Sequence, residues 1–97
     1  MKMIYKYAIR FRHFFITMPD GAVILSAANV GNTICIYAMA DPDARHVARY
    51  FSIYGTGEEM KPHHQATPNH IAIFLGTVTN INVDEVYHVF EWVTKEL

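Results

Sequence analysis

The chain has 97 residues, 52% of them apolar, and eight Lys and Arg against nine Asp and Glu leave a formal charge of −1. That length holds one core, so residues 1–97 read as a single domain, and the balanced charge offers no basic face for nucleic acid. No apolar run reaches the roughly 18 residues of a membrane helix, and the lone cysteine, Cys35, excludes an intrachain disulfide, as suits a reducing cytosol.

Residues 3 to 11 alternate, with Met3, Tyr5, Tyr7, Ile9 and Phe11 on one side and Lys6, Ala8 and Arg10 on the other, which predicts a half-buried strand. Phe14 to Met18 is a second short strand or a continuation past a bend. Pro19-Asp20-Gly21 is a turn. Ala22 to Val30 and Thr33 to Asp41 then read as a hairpin closed near Gly31-Asn32. The second arm is apolar on both faces, which predicts a central strand covered on both sides.

Asp41-Pro42-Asp43 ends that arm, and residues 42 to 48 form a loop or one helical turn. Arg49 to Tyr54 is the next strand, stopped by Gly55-Thr56-Gly57. Residues 58 to 69 are the one long polar segment and read as a surface loop. His70 to Thr79 and Val86 to Val93 are strand-like, with a turn at Asn80-Ile81-Asn82, and Glu91 to Leu97 fits a strand or a short helix. The pattern predicts a mainly β fold, a small antiparallel sandwich or barrel-like sheet of six to seven strands. The alternative is α+β with one short helix.

Six histidines raise a metal reading, with His63, His64, His70 or His88 as ligands. Neither a Cys pair nor a His-x-x-x-His spacing supports it, and adjacent His63 and His64 diverge in an extended loop. No metal or other cofactor is expected. A phosphate reading places Arg49, Tyr54, Gly55, Thr56, Gly57 and Lys61 around an anion held by successive glycine N–H groups. The competing account of the two glycines is a tight turn needing positive φ. Ser26 and Ser52 lack a nucleophile elbow, so no catalytic residue is assigned.

Six tyrosines, six phenylalanines and one tryptophan suggest that some apolar surface lies between subunits, which makes self-association an expectation. Tyr5, Tyr87, His88, Phe90 and Trp92 are the candidate interface residues. On the last strand Val86, His88, Phe90 and Trp92 share one face and Tyr87, Val89, Glu91 and Val93 the other. Closing the chain, it is expected at an edge, packed on another subunit or on the first strand. Lys6 and Arg10 there would meet Glu91 and Glu96.

Several stretches, in order, resemble a family of small tailed-phage and prophage proteins. They are Ile4-Tyr5-Lys6-Tyr7, Met18 through Ser26, Cys35-Ile36-Tyr37-Ala38 with Asp41-Pro42, Phe51 through Gly57, Leu75-Gly76-Thr77-Val78 and Val86 through Glu91. The chain departs from that pattern at Asn29-Val30-Gly31-Asn32, in lacking a Trp near Tyr37, and in its longer, His-rich 58-to-69 segment. The resemblance implies phage origin and expression in a host bacterial cytoplasm, and it implies no activity. Small phage accessory proteins often act by stoichiometric binding, for instance of a host defence protein or a signalling nucleotide. The expected function is therefore non-catalytic binding of a host protein. The alternatives are a sponge for a phosphate-containing small ligand, a His-based metalloenzyme, and a virion component.

Overall fold

The computed structural model describes residues 1–10, 12–80 and 85–95. Phe11, the Ile81-Asn82 part of the expected turn, Asp84 and Glu96 lie outside the described residues. Among the described residues seven strands follow one another, β1 (Met3–Ile9), β2 (His13–Pro19), β3 (Val23–Val30), β4 (Thr33–Ala40), β5 (His46–Gly55), β6 (His70–Asn80) and β7 (Glu85–Thr94). They form two antiparallel sheets, ordered β1-β4-β3 and β2-β5-β7-β6. The mainly β sandwich predicted from alternation is the observed fold. Among the described residues there is no helix, so the α+β alternative falls, and residues 91–94 continue a strand. No helix is long and apolar enough to cross a membrane, a statement about the described residues.

Local chemistry explains the corners. The Ala22 N–H donates to the Pro19 carbonyl across 3.1 Å, and Gly21 has φ 80°, the arrangement of a type II turn with glycine third. Gly31 has φ 63° in the two-residue link between paired Val30 and Thr33. Asp41 accepts the Asp43 N–H on its side chain and the Ala44 N–H on its carbonyl, which makes residues 41–44 a turn and lets β5 begin at His46, earlier than expected.

Period two then sorts the side chains. Ile36 and Ala38 of β4 face Met18, Phe51, Val78 and Val89 of the other sheet in one buried cluster. Phe14 and Phe51 stack there with centroids 5.2 Å apart and planes 10° from parallel. β4 is the central strand of its sheet, as predicted, but the second sheet covers only one of its faces. Tyr37 and Met39 on the other face are half-buried.

β7 corrects an expectation. It lies between β5 and β6 and not at an edge, and it does not pair with β1, which belongs to the other sheet. Its inner face buries Val89 and Glu91, and its outer face leaves His88, Phe90 and Trp92 half-buried. Glu91, expected to meet Lys6 or Arg10, is instead bound by Arg49 of β5. The Arg49 Nε and Nη2 donate to the two Glu91 oxygens at 2.5 and 2.7 Å, and Nη1 donates to the Ala22 carbonyl at 2.5 Å. One guanidinium so ties β5, β7 and the approach to β3.

Candidate functional site

The outer face of the four-stranded sheet carries His13 and Phe15 of β2, Tyr50, Ser52 and Tyr54 of β5, and His88, Phe90 and Trp92 of β7, matched by register. A solvent-facing sheet surface does not ordinarily bury such residues, yet Ser52 is 0% exposed. The cover is the segment 56–69, a strap laid across that face. The Tyr54 hydroxyl donates to the Lys61 carbonyl, and His63 Nε2 lies 3.1 Å from the Phe14 carbonyl. Within the strap the Gln65 N–H donates to His63 Nδ1 at 3.0 Å, and the Ala66 N–H to the His63 carbonyl at 2.8 Å. The surface-loop expectation holds for most of this segment and fails at His63, which is 2% exposed.

Beneath the strap lies a polar triad. The Trp92 indole N–H donates to Ser52 Oγ at 2.8 Å, and Ser52 Oγ lies 2.7 Å from His13 Nδ1. A buried indole N–H and hydroxyl without such partners would each cost about 1–3 kcal/mol. The imidazoles then gather. His63 and His64 stack at 4.5 Å, and His13 and Tyr50 meet the His63 ring edge-on at 5.5 and 5.4 Å. Adjacent His63 and His64 were expected to diverge; the turn at residues 63–66 folds their rings together instead.

Between strap and β2 a groove of about 520 Å³ opens, lined by His13, Phe14, Phe15, Ala48, Tyr50, His63, His64 and Gln65. Its wall holds aromatic rings and no Lys, Arg, Asp or Glu. Phe15 stands on its rim, 65% exposed. Burial pushes the His63 imidazole below its ordinary pKa; the Phe14 carbonyl opposes that shift, and His64 and His13 add to it. His13 is also lowered, by burial first and then by His64, with Arg12 adding and Glu58 opposing.

Of the residues expected to hold phosphate, Tyr54, Gly55, Thr56 and Gly57 line one small pocket, and Arg49 is not among them. Arg49 is committed to Glu91, six residues of extended strand from Gly55 and so roughly 20 Å away along β5. At the turn, the Gly55 N–H donates to Glu58 Oε2 at 2.8 Å, and Arg12 pairs with the same carboxylate. The chain's own acid thus sits where an anion was expected, and the Gly55 N–H with the Arg12 pair lowers the Glu58 pKa. Gly57 has φ 83°, in keeping with a tight turn. The Thr56 hydroxyl contacts His88, Tyr54 is buried under the strap, and Lys61 is exposed.

The candidate interface residues divide between the two faces. Tyr5 and Tyr87 pack against the core, Tyr87 under the Arg12 guanidinium at 5.7 Å. His88, Phe90 and Trp92 lie on the outer face, half-buried. His88 is held at both nitrogens by Thr56 and Thr77, at 2.8 and 3.0 Å. Both His63 nitrogens likewise have protein partners, and among the described residues no three His, Cys, Asp or Glu are grouped to hold a metal. His13, Phe15 and Ala48 were missed as site residues. A signal for Phe15 existed: Phe14 and Phe15 are adjacent, and period two must send one of them out of the core.

Fold and site define a class, a seven-stranded two-sheet sandwich whose outer aromatic face is strapped down to leave a groove. The chain belongs to the family described as a domain of unknown function, DUF7352, whose model matches residues 1–96. Neither comparison with curated proteins nor comparison with solved structures finds a match.

Proposed function

We propose that the protein works by stoichiometric binding and not by catalysis, with the groove between strap and β2 as the place where a host protein docks. The groove's wall carries this reading, since exposed rings in a concave, uncharged site are the anchors that dominate protein interfaces. Catalysis is disfavoured by the placement of the hydroxyl–imidazole pair. Ser52 is sealed beneath the strap and already accepts the Trp92 N–H, so a substrate does not reach its hydroxyl. The resemblance to tailed-phage proteins supports a partner among host factors of a bacterial cytoplasm, defence proteins included.

Capture from host lysate followed by titration calorimetry with the purified partner tests this. Phe15→Ala is expected to weaken binding about tenfold, near 1.4 kcal/mol, with the melting temperature unchanged. Turnover of a nucleotide or peptide by the pure protein, abolished by one substitution, overturns the reading.

Self-association belongs to the same proposal. On the outer face of the three-stranded sheet, Ile4, Met39 and Val23 occupy one rung across all three strands. Ile4 and Val23 are 65% and 51% exposed. An uncovered apolar row on a sheet face is suited to burial against a second copy. Val23→Lys should reduce the light-scattering mass to that of one chain while the fold persists. A wild-type protein already of single-chain mass removes this part.

A further inference from the structure

We propose that protonation of His63 gates the groove, which keeps its wall at neutral pH and loses it in mild acid as residues 63–66 lift from the sheet. This deepens the binding reading of the same groove and rests on it.

The partners of the ring dictate its state. The Phe14 carbonyl only accepts, so Nε2, 3.1 Å away, carries the proton; the Gln65 N–H only donates, so Nδ1, 3.0 Å away, keeps its lone pair. This is one neutral tautomer, specified from both sides. A second proton on Nδ1 would set two donors against each other and place a cation where water does not reach. The strap would then lose the hydrogen bond that shapes the 63–66 turn, and the groove its His63, His64 and Gln65 wall.

The Phe14 carbonyl favours a charged ring, but it is outweighed by burial and by the other imidazoles. From β2 comes His13, from β5 the ring of Tyr50, and from the strap the stacked His64. Glu58 is the acid acting on this cluster; it bears on His13 and is itself paired with Arg12. The Tyr54 hydroxyl, which holds the Lys61 carbonyl, does not titrate in this range, so that anchor persists and the opening stays local.

The direction of the pH dependence follows. Burial holds folded His63 below the ordinary value of about 6.5, so the unfolded or lifted segment binds the proton more readily. The stability contributed by the buried neutral ring is complete above about pH 6.5 and drains away as pH falls through the folded value. His13 shifts in the same direction and adds to the pH dependence of overall stability, but its ring does not accept the Gln65 N–H that shapes the strap.

Amide hydrogen exchange and imidazole NMR on the full chain, from about pH 7.5 to about pH 5, test the gate without any ligand. The Gln65 and Ala66 amides, corrected for intrinsic exchange, should lose protection about tenfold or more while Phe51 and Val89 in the core do not. The His63 ring should titrate over the same interval with a midpoint below the ordinary value. Flat protection at Gln65, or a His63 midpoint at or above that value, overturns the gate. His63→Gln should abolish the response and His13→Gln should retain it, and the opposite pattern also overturns it. If that variant does not fold, the wild-type ring titration decides alone. The two readings separate cleanly: a captured partner whose affinity is flat across this range removes the gate and leaves the binding. A responsive strap with no partner captured at neutral pH removes the binding and leaves the gate.

Discussion

Glu91→Ala is expected to be among the most destabilising single substitutions in this chain, at about 3–5 kcal/mol. The Glu91 side chain is 7% exposed and that of Arg49 22%, and the pair is bidentate. Removing the carboxylate leaves a largely buried guanidinium whose Nη1 still donates to the Ala22 carbonyl but whose charge has lost its carboxylate. The cost is that of an uncompensated charge and not the net worth of the pair. Replacing both residues, as in Arg49→Met with Glu91→Met, should therefore recover much of the loss. For a domain of this size each kcal/mol moves the melting temperature by about 4–8 °C. Arg12→Ala, which breaks the exposed Arg12–Glu58 pair, should cost about 1 kcal/mol or less in the same assay. Equal effects at the two positions would refute this account of what holds the end of the sandwich.

Phe51→Ala should cost a similar amount, about 3–5 kcal/mol, through lost transfer energy and a cavity beside Phe14. Total stability of a small domain is only about 5–15 kcal/mol, so this variant is expected near the edge of folding. Phe51→Leu, which keeps much of the volume, provides the folded intermediate of the series. Urea midpoints at constant m-value would measure both. Phe15 is the internal comparison, a ring of the same size on the groove rim, and Phe15→Ala should stay within about 0.5 kcal/mol of wild type. A large loss at Phe15 and a small one at Phe51 would mean the faces of the four-stranded sheet have been assigned the wrong way round.

The candidate site was only partly legible in the sequence. His63 and His64 stood out by composition, but nothing local marks the first as buried and the second as its stacking partner. His63 meets Phe14 across 49 positions of chain, and Ser52 meets Trp92 across 40. Such meetings depend on where the strap lands. Arg49 stands apart from the other residues of the phosphate reading for a related reason. Arg49 and Gly55 share one strand, and their closeness in sequence becomes distance once that strand is extended.

Strand number to within one, most strand limits and the hairpin of β3 with β4 were determined by the sequence itself, because alternation and turn chemistry act over a few residues. Gly21 and Gly31 take positive φ where the turns were expected, and the two-residue link at Gly31-Asn32 fixes the register of β3 on β4 as far as the irregularity between Ile24 and Ser26. Only the tertiary structure decided that β7 is interior and not an edge, that β1 and β7 lie in different sheets, and that Arg49 is the partner of Glu91. Two strands with apolar faces can pair in several orders at similar local cost. The order here is selected by joint burial of residues 42 positions apart, as Arg49 and Glu91 are, and by a polar strap that gains its place only once the sheet beneath it exists.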